Sequence, residues 1–357
     1  MVNSSQSKRI FYFDALRAVA ILFVVLLHVT GHLGEMMNYN VSTIYSFSGL
    51  FETFGNNFFK IGVDLFFMLS GALLLGRDWD IRGFLSKRIP RIAKPFVFWS
   101  LVFSVMLFVV SYVIPSLNLV DQHGIYGFLK VFWDTLMFKA PGSAVYWFFW
   151  TMLGVYLAMP ILNKWIKHSE LSELEYFLVI WIVSTLFDYT LMVECPVKLS
   201  YFTSPFGLVV LGYYLRYTER KVFNNALIAL ALIIVPAIVM FVYSCSVVDT
   251  NILFTFNRYA ILPIIEVIGV FCLFKTSKYL NNPNDFIKRF VSSIAMCSYG
   301  MYLIHSQLIM VFRKVLHVSF NFTIDYLILF FVGFILSWFI IYILSKIPYV
   351  NEFVGVK

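Results

Sequence analysis

Charge is what this sequence has least of. Asp, Glu, Lys and Arg make up 13% of its 357 residues, about half the share of an ordinary soluble domain. That is too little to cover a water-soluble surface. Cysteine is scarce as well. The four present (Cys195, Cys245, Cys272 and Cys297) include no CxxC pair and have no histidine at ligand spacing, which argues against zinc-ribbon and thioredoxin-type chemistry. They read as small hydrophobes, although Cys195 and Cys245 both fall near expected outer helix ends, where a bridge is conceivable. Internal repeats, low-complexity tracts and an appended soluble domain are also missing, so residues 1–357 read as a single membrane domain. The first apolar segment lacks a small-residue cleavage site and carries Asp14 and Arg17, which sets it apart from a cleaved signal peptide.

In place of charge there are long apolar runs. The chain is 61% hydrophobic with a mean hydropathy of +0.83, the composition of an all-α polytopic membrane protein. A bilayer core of ~30 Å needs ~20 apolar residues per helix. Ten such spans are expected: 11–31, 58–76, 93–114, 144–162, 176–193, 199–215, 222–243, 258–274, 290–312 and 324–344. The sixth is interrupted by Pro205 and Gly207. Segment 125–138, "IYGFLKVFWDTLMF", is amphipathic and is expected flat on the outer surface. Placing the N-terminus inside puts 19 basic residues in inner segments and seven in outer ones. By the positive-inside rule both termini, tails 1–10 and 346–357, are then cytoplasmic. The net charge of +8 therefore reports orientation and lipid contact, and no nucleic-acid partner is expected.

The informative residues are the polar ones inside apolar segments. In "FDALRAVAILFVVLLH", Asp14, Arg17 and His28 share one helical face, with Arg17 and His28 about 20° apart in azimuth and ~16 Å apart along the axis. Asp14 and Arg17, at i and i+3, can neutralise each other. A polar stripe of this kind faces protein or water, not lipid. Asp64 and Ser70 lie in "GVDLFFMLSG", and "SYGMYLIH" places Ser298, Tyr302 and His305 on one face. The loop "KRIPRIAKPF" sets Arg88 and Arg91 three residues apart beside Lys87 and Lys94. It suits either anionic lipid headgroups or a phosphate-bearing ligand. Asp188 and Glu266 are further acids inside apolar segments. His28 and His32, at i and i+4, have no third ligand in reach, so no metal is expected.

These motifs, taken in order, resemble the integral-membrane acyltransferases of the acyltransferase-3 type, bacterial enzymes that O-acylate surface carbohydrates. The resemblance rests on Arg17 followed by His28, on the paired phenylalanines before Ser70-Gly71, on Arg88 and Arg91 in "RIPR", on the Trp147-Phe148 block "YWFFWTMLGVYLAMPIL" and on "SYGMYLIH". Where many members place a histidine before that tryptophan, this chain has Tyr146. The resemblance implies acetyl-CoA or another acyl-CoA as donor substrate, held by Arg88, Arg91 and Arg17. It implies His28 as the catalytic group, either a general base or a covalent acyl carrier, supported by Asp14 and Arg17. Ser70, Trp147, Tyr302 and His305 are the other site candidates. The implied acceptor is a lipid-linked sugar or surface polysaccharide, and the implied location is the bacterial cytoplasmic (inner) membrane, in contact with its lipids. A transporter or flippase for a small envelope-related substrate is the competing reading, since a polar stripe also suits passage.

Overall fold

The computed structural model describes residues 10–34, 41–117, 119–120, 124–247, 254–281, 283–316 and 321–356. All of the N-terminal tail except Ile10 lies outside the described residues. Among those described there is no strand. The chain opens with α1 (Phe11–Gly34), the short α2 (Val41–Ile44), α3 (Phe47–Phe58) and α4 (Ile61–Leu74). The long α5 (Ile81–Val113), α6 (Gly124–Leu136), α7 (Trp147–His168) and α8 (Leu171–Thr185) follow. Next come α9 (Phe206–Tyr217), α10 (Ala226–Ser246), α11 (Ile261–Thr276) and the short α12 (Lys278–Asn281). The last three are α13 (Asp285–Leu316), α14 (Phe322–Phe330) and α15 (Ser337–Leu344). A wide π turn continues α8 over Leu186–Leu191, and another joins α14 to α15 over Phe331–Leu336.

Small polar side chains mark where helices begin. Asp80 accepts from the Gly83 amide ahead of α5, Asn225 from the Leu227 and Ile228 amides ahead of α10, and Asn321 from the Ile324 amide ahead of α14. Each satisfies amides that have no partner within their own helix. Pro90 and Pro95 sit inside α5 and Pro236 inside α10, a tolerance common in helices sheltered from water.

Eight helical stretches among the described residues are long and apolar enough to cross a membrane, as expected of a multi-pass membrane protein. The two remaining expected spans take a different form. Segment 199–215 is helical only from Phe206, after a 3₁₀ turn and Pro205, and α9 has 12 residues. Segment 258–274 starts at Ile261, giving α11 16 residues. At 1.5 Å per residue these reach about 18 and 24 Å, short of a full bilayer core. Both are sheltered by protein: α9 packs on α4 and α8, and α11 on α10, α4 and α1. Segment 125–138 forms the helix α6, whose buried residues Gly127, Val131 and Thr135 form a stripe. Thr135 accepts a hydrogen bond from Ser104 of α5 at 3.0 Å.

Helix α1 runs through the core and packs against α13, α4, α3 and α14. The α4–α9 crossing is closer than side chains ordinarily allow. A Cβ placed on Gly71 would lie 1.7 Å from the Val209 carbonyl oxygen, and one on Gly212 would lie 2.0 Å from that of Met68. Two backbones meet here directly, the small-residue packing that apolar helices use to associate. Gly71→Val therefore forces the helices apart and costs more than the ~1–3 kcal/mol of ordinary overpacking. The expected result is a lower thermal midpoint and a smaller monodisperse fraction in detergent, measured against wild type.

Candidate active site

The Arg88–Arg91 end of the bundle contains a cavity of about 260 Å³ walled by α1, α4, α5, α7, α13 and the C-terminal segment. Four arginines line it: Arg17, Arg77, Arg88 and Arg91. Its lining holds no carboxylate. Asp14 stands beside it, its Oδ1 3.9 Å from the Arg17 guanidinium and its Oδ2 accepting from the Ser292 hydroxyl at 2.9 Å. Four guanidinium groups and no carboxylate in the lining make an electropositive hollow, a ready receptor for a polyanion.

Each arginine is placed by local structure. Arg17 lies nearly two turns into α1, on the face that carries His28 further along. Arg88 and Arg91 lie one turn apart on α5, and the next residue, Ile92, accepts a hydrogen bond through its carbonyl from the Tyr299 hydroxyl at 2.8 Å. Arg77 follows the α4 C-terminus, where Gly76 turns the chain at φ 72°. Asn163 of α7 clamps that turn, accepting from the Gly76 amide at 2.7 Å and donating to the Arg77 carbonyl at 3.0 Å.

Deeper in, aromatic side chains and small polar groups replace charge. Ser70, Ser298, Tyr156, Tyr299 and Tyr302 line the cavity with Phe66, Phe148 and Met152. Tyr302 donates to the Val145 carbonyl at 2.7 Å. Its ring lies 4.8 Å from Phe148 and 5.7 Å from His305. Tyr302 is thus the shared wall between the arginine cavity and a pair of histidines.

That pair is His28 and His305, with ring centroids 4.9 Å apart. Neighbouring carbonyls, which can only accept, fix the tautomers. His305 Nδ1 lies 2.8 Å from the Tyr302 carbonyl and 3.1 Å from that of Met301, so Nδ1 carries the hydrogen and neutral Nε2 carries a lone pair. His28 Nδ1 lies 2.7 Å from the Val24 carbonyl and 3.2 Å from His305 Nε2. It faces two acceptors, so it is also the protonated nitrogen. The lone pair of His28 is therefore on Nε2, the nitrogen turned away from His305. His305 is fully buried, while His28 keeps partial exposure. A histidine whose Nδ1–H is turned to a backbone carbonyl and a second histidine, leaving the Nε2 lone pair outside that pair, has the arrangement of a general base.

The sequence-expected residues divide between two neighbouring places. Arg17, Ser70, Arg88, Arg91 and Tyr302 meet in the cavity, and His28 and His305 meet beside it. Trp147 does not line the cavity. The Arg258 guanidinium lies 4.6 Å over its ring, a cation–π contact, and the same arginine bears electrostatically on His28 and Tyr302. Tyr146 is fully buried against Phe96, with the Ser100 hydroxyl as its polar neighbour. Asp64 and Glu266 are also buried outside the cavity, close enough to each other and to Lys60 to interact electrostatically. Cys195 and Cys245 are both free thiols. No group of three or more His, Cys, Asp or Glu side chains that could hold a metal occurs among the described residues. Arg77, Tyr156 and Tyr299 were not anticipated as site residues. The available signals were that Arg77 opens a basic stretch ending at Lys94, and that Tyr156 and Tyr299 lie inside the quoted motifs "YWFFWTMLGVYLAMPIL" and "SYGMYLIH".

Comparison with known families gives the class of the chain. Residues 10–344 match the family model described as "Acyltransferase domain" (Acyl_transf_3). The chain belongs to the acyltransferase-3 family and is a membrane enzyme of the acyltransferase class. Comparison with curated proteins and with solved structures finds no match.

Proposed function

We propose that this protein moves an acyl group, acetyl in the first instance, from cytoplasmic acyl-CoA to a hydroxyl of a cell-envelope carbohydrate on the outer face of a bacterial cytoplasmic membrane. The observation that carries the reading is a four-arginine cavity without a carboxylate, separated by Tyr302 from a histidine poised as a base. Coenzyme A brings several phosphates, and guanidinium forks are their natural partners. The excess of Lys and Arg in the segments at that end supports a cytoplasmic entry.

In this reading Arg88, Arg91 and Arg17 grip the donor, and the acyl arm extends past Ser70 toward Tyr302 and His28. His28 Nε2 takes the proton of the acceptor hydroxyl as its oxygen attacks the thioester carbon. The carbon–sulfur bond then breaks, and His28 Nε2 gives that proton to the leaving sulfur, which departs as the thiol of coenzyme A. His305 Nε2 accepts from His28 Nδ1 throughout, steadying the imidazolium formed between the two proton transfers. A two-step route, in which His28 carries the acyl group, uses the same atoms. Asp14 holds Arg17 in place. The acceptor is expected from the His28 end, as a lipid-linked sugar or a surface polysaccharide.

The test is acetyl-CoA binding to the purified protein in detergent, followed by transfer of labelled acetyl to membrane glycolipid in proteoliposomes. Saturable binding with label transfer is the expected result. A well-folded protein that binds no acetyl-CoA removes the donor assignment and returns the polar stripe to substrate passage.

A further inference from the structure

The last residues do not form a free tail. After α15 the chain turns through Tyr349, at φ 65°, and a 3₁₀ turn at Val350–Glu352, then runs back along α5 and α13. The Val354 carbonyl accepts from the Trp99 indole at 3.4 Å, and the Gly355 carbonyl accepts from the Gly300 amide at 3.2 Å. Gly300, the glycine of "SYGMYLIH", is what admits the segment: a Cβ there would lie 2.2 Å from the Val354 carbonyl oxygen. Val354 is completely buried, and Gly355 and Val356 line the arginine cavity.

A second hollow, of about 510 Å³, lies between this segment and the Pro90–Lys94 stretch of α5. Arg91, Met296 and Val356 line both hollows, so the two adjoin. Its charged groups are Arg91, Lys94, Lys346 and one acid, Glu352. Glu352 spends its charge on Lys94, at 2.7 Å. Lys94 also lies over the Phe353 ring at 5.6 Å. The hydrogen bond from Lys94 holds the Glu352 carboxyl below the usual carboxylate range.

We propose that Val350–Val356 is a strap completing the donor site, and that the hollow beneath it seats the phosphorylated nucleotide end of the donor on Arg91, Lys94 and Lys346. Glu352 holds the place of a phosphate on Lys94 until the donor arrives and displaces it. The acyl arm then occupies the arginine cavity, with Gly355 and Val356 as its floor. This inference rests on the reading of the donor as an acyl-CoA.

The probe is adenosine 3′,5′-bisphosphate, which carries phosphates but no acyl arm, titrated alongside acetyl-CoA into the purified full chain. Wild type is expected to bind both, in competition. Lys94→Ala and Lys346→Ala each weaken both ligands by about tenfold, the loss of one charge-assisted contact. Glu352→Gln frees Lys94 and tightens both several-fold. Lys94 and Glu352 have side chains 46% and 62% exposed, so these variants leave the core intact, and matching thermal midpoints verify it. If wild type binds acetyl-CoA and all three variants keep its affinity within about twofold, the strap inference is overturned while the function stands. A wild type that binds neither ligand overturns both.

Discussion

His28→Ala is expected to lower acyl transfer by about 10²–10⁴-fold, the usual worth of a positioned general base, while acetyl-CoA binding stays near wild type. The two effects separate because His28 does not line the arginine cavity; it lies beyond Tyr302, paired with His305. His305→Ala should lower the rate less. His28 Nδ1 would keep the Val24 carbonyl at 2.7 Å and lose only the second acceptor, so its tautomer would survive while its imidazolium lost a partner. Label transfer in proteoliposomes gives the rates, and calorimetric titration gives the binding. Full activity in His28→Ala would assign the base elsewhere. Equal loss of binding and rate would instead make His28 part of the donor site. If His28 carries the acyl group covalently, wild type incubated with labelled donor and no acceptor retains label through denaturation, and His28→Ala does not.

Local periodicity made much of this site legible beforehand. The eleven-residue step from Arg17 to His28, the three-residue step from Arg88 to Arg91, and the Tyr302–His305 face are all properties of single helices. Each was readable without knowing what the helix packs against. The pairing of His28 with His305 was not, because 277 residues separate them. Their meeting follows from how α1 and α13 cross. Arg77 and Tyr156 escaped for the same reason: one is set by a turn that Asn163 clamps from another helix, and the other faces inward from α7 among residues with no polar pattern. Trp147 shows what a motif leaves open. Its motif position made it a site candidate without a partner, and the fold sets it under the Arg258 guanidinium. Length rules failed at α9 and α11, since a helix sheltered by protein has no need to match the bilayer. The charge count placed 346–357 only as a cytoplasmic tail; that glycine at position 300 opens a seat for Val354 is something no local pattern announces.

Arg88→Ala/Arg91→Ala is the second large effect. Each guanidinium makes charge-assisted contacts worth ~1.5–3 kcal/mol when they reach a ligand. Losing both therefore weakens acetyl-CoA binding by about 10²–10⁴-fold. Replacement by lysine restores only part of this, since an ammonium keeps the charge and loses the fork. A loss of binding alone would not separate a donor site from a damaged fold, and the charge balance of the cavity supplies the distinction. Arg17, Arg77, Arg88 and Arg91 line one hollow without a carboxylate among them, so without an anion they repel one another. Removing two relieves that repulsion. The double variant is accordingly expected to keep or raise the thermal midpoint of the ligand-free protein, while losing the upward shift that acetyl-CoA gives wild type by binding the native state. A thermal melt with and without donor reads both quantities at once. A double variant that melts lower without ligand and still responds to acetyl-CoA would make the two arginines structural and move the phosphate contacts to Arg17 and Arg77. One that melts at or above wild type and no longer responds marks the cavity as a site whose charge is held in reserve for its ligand.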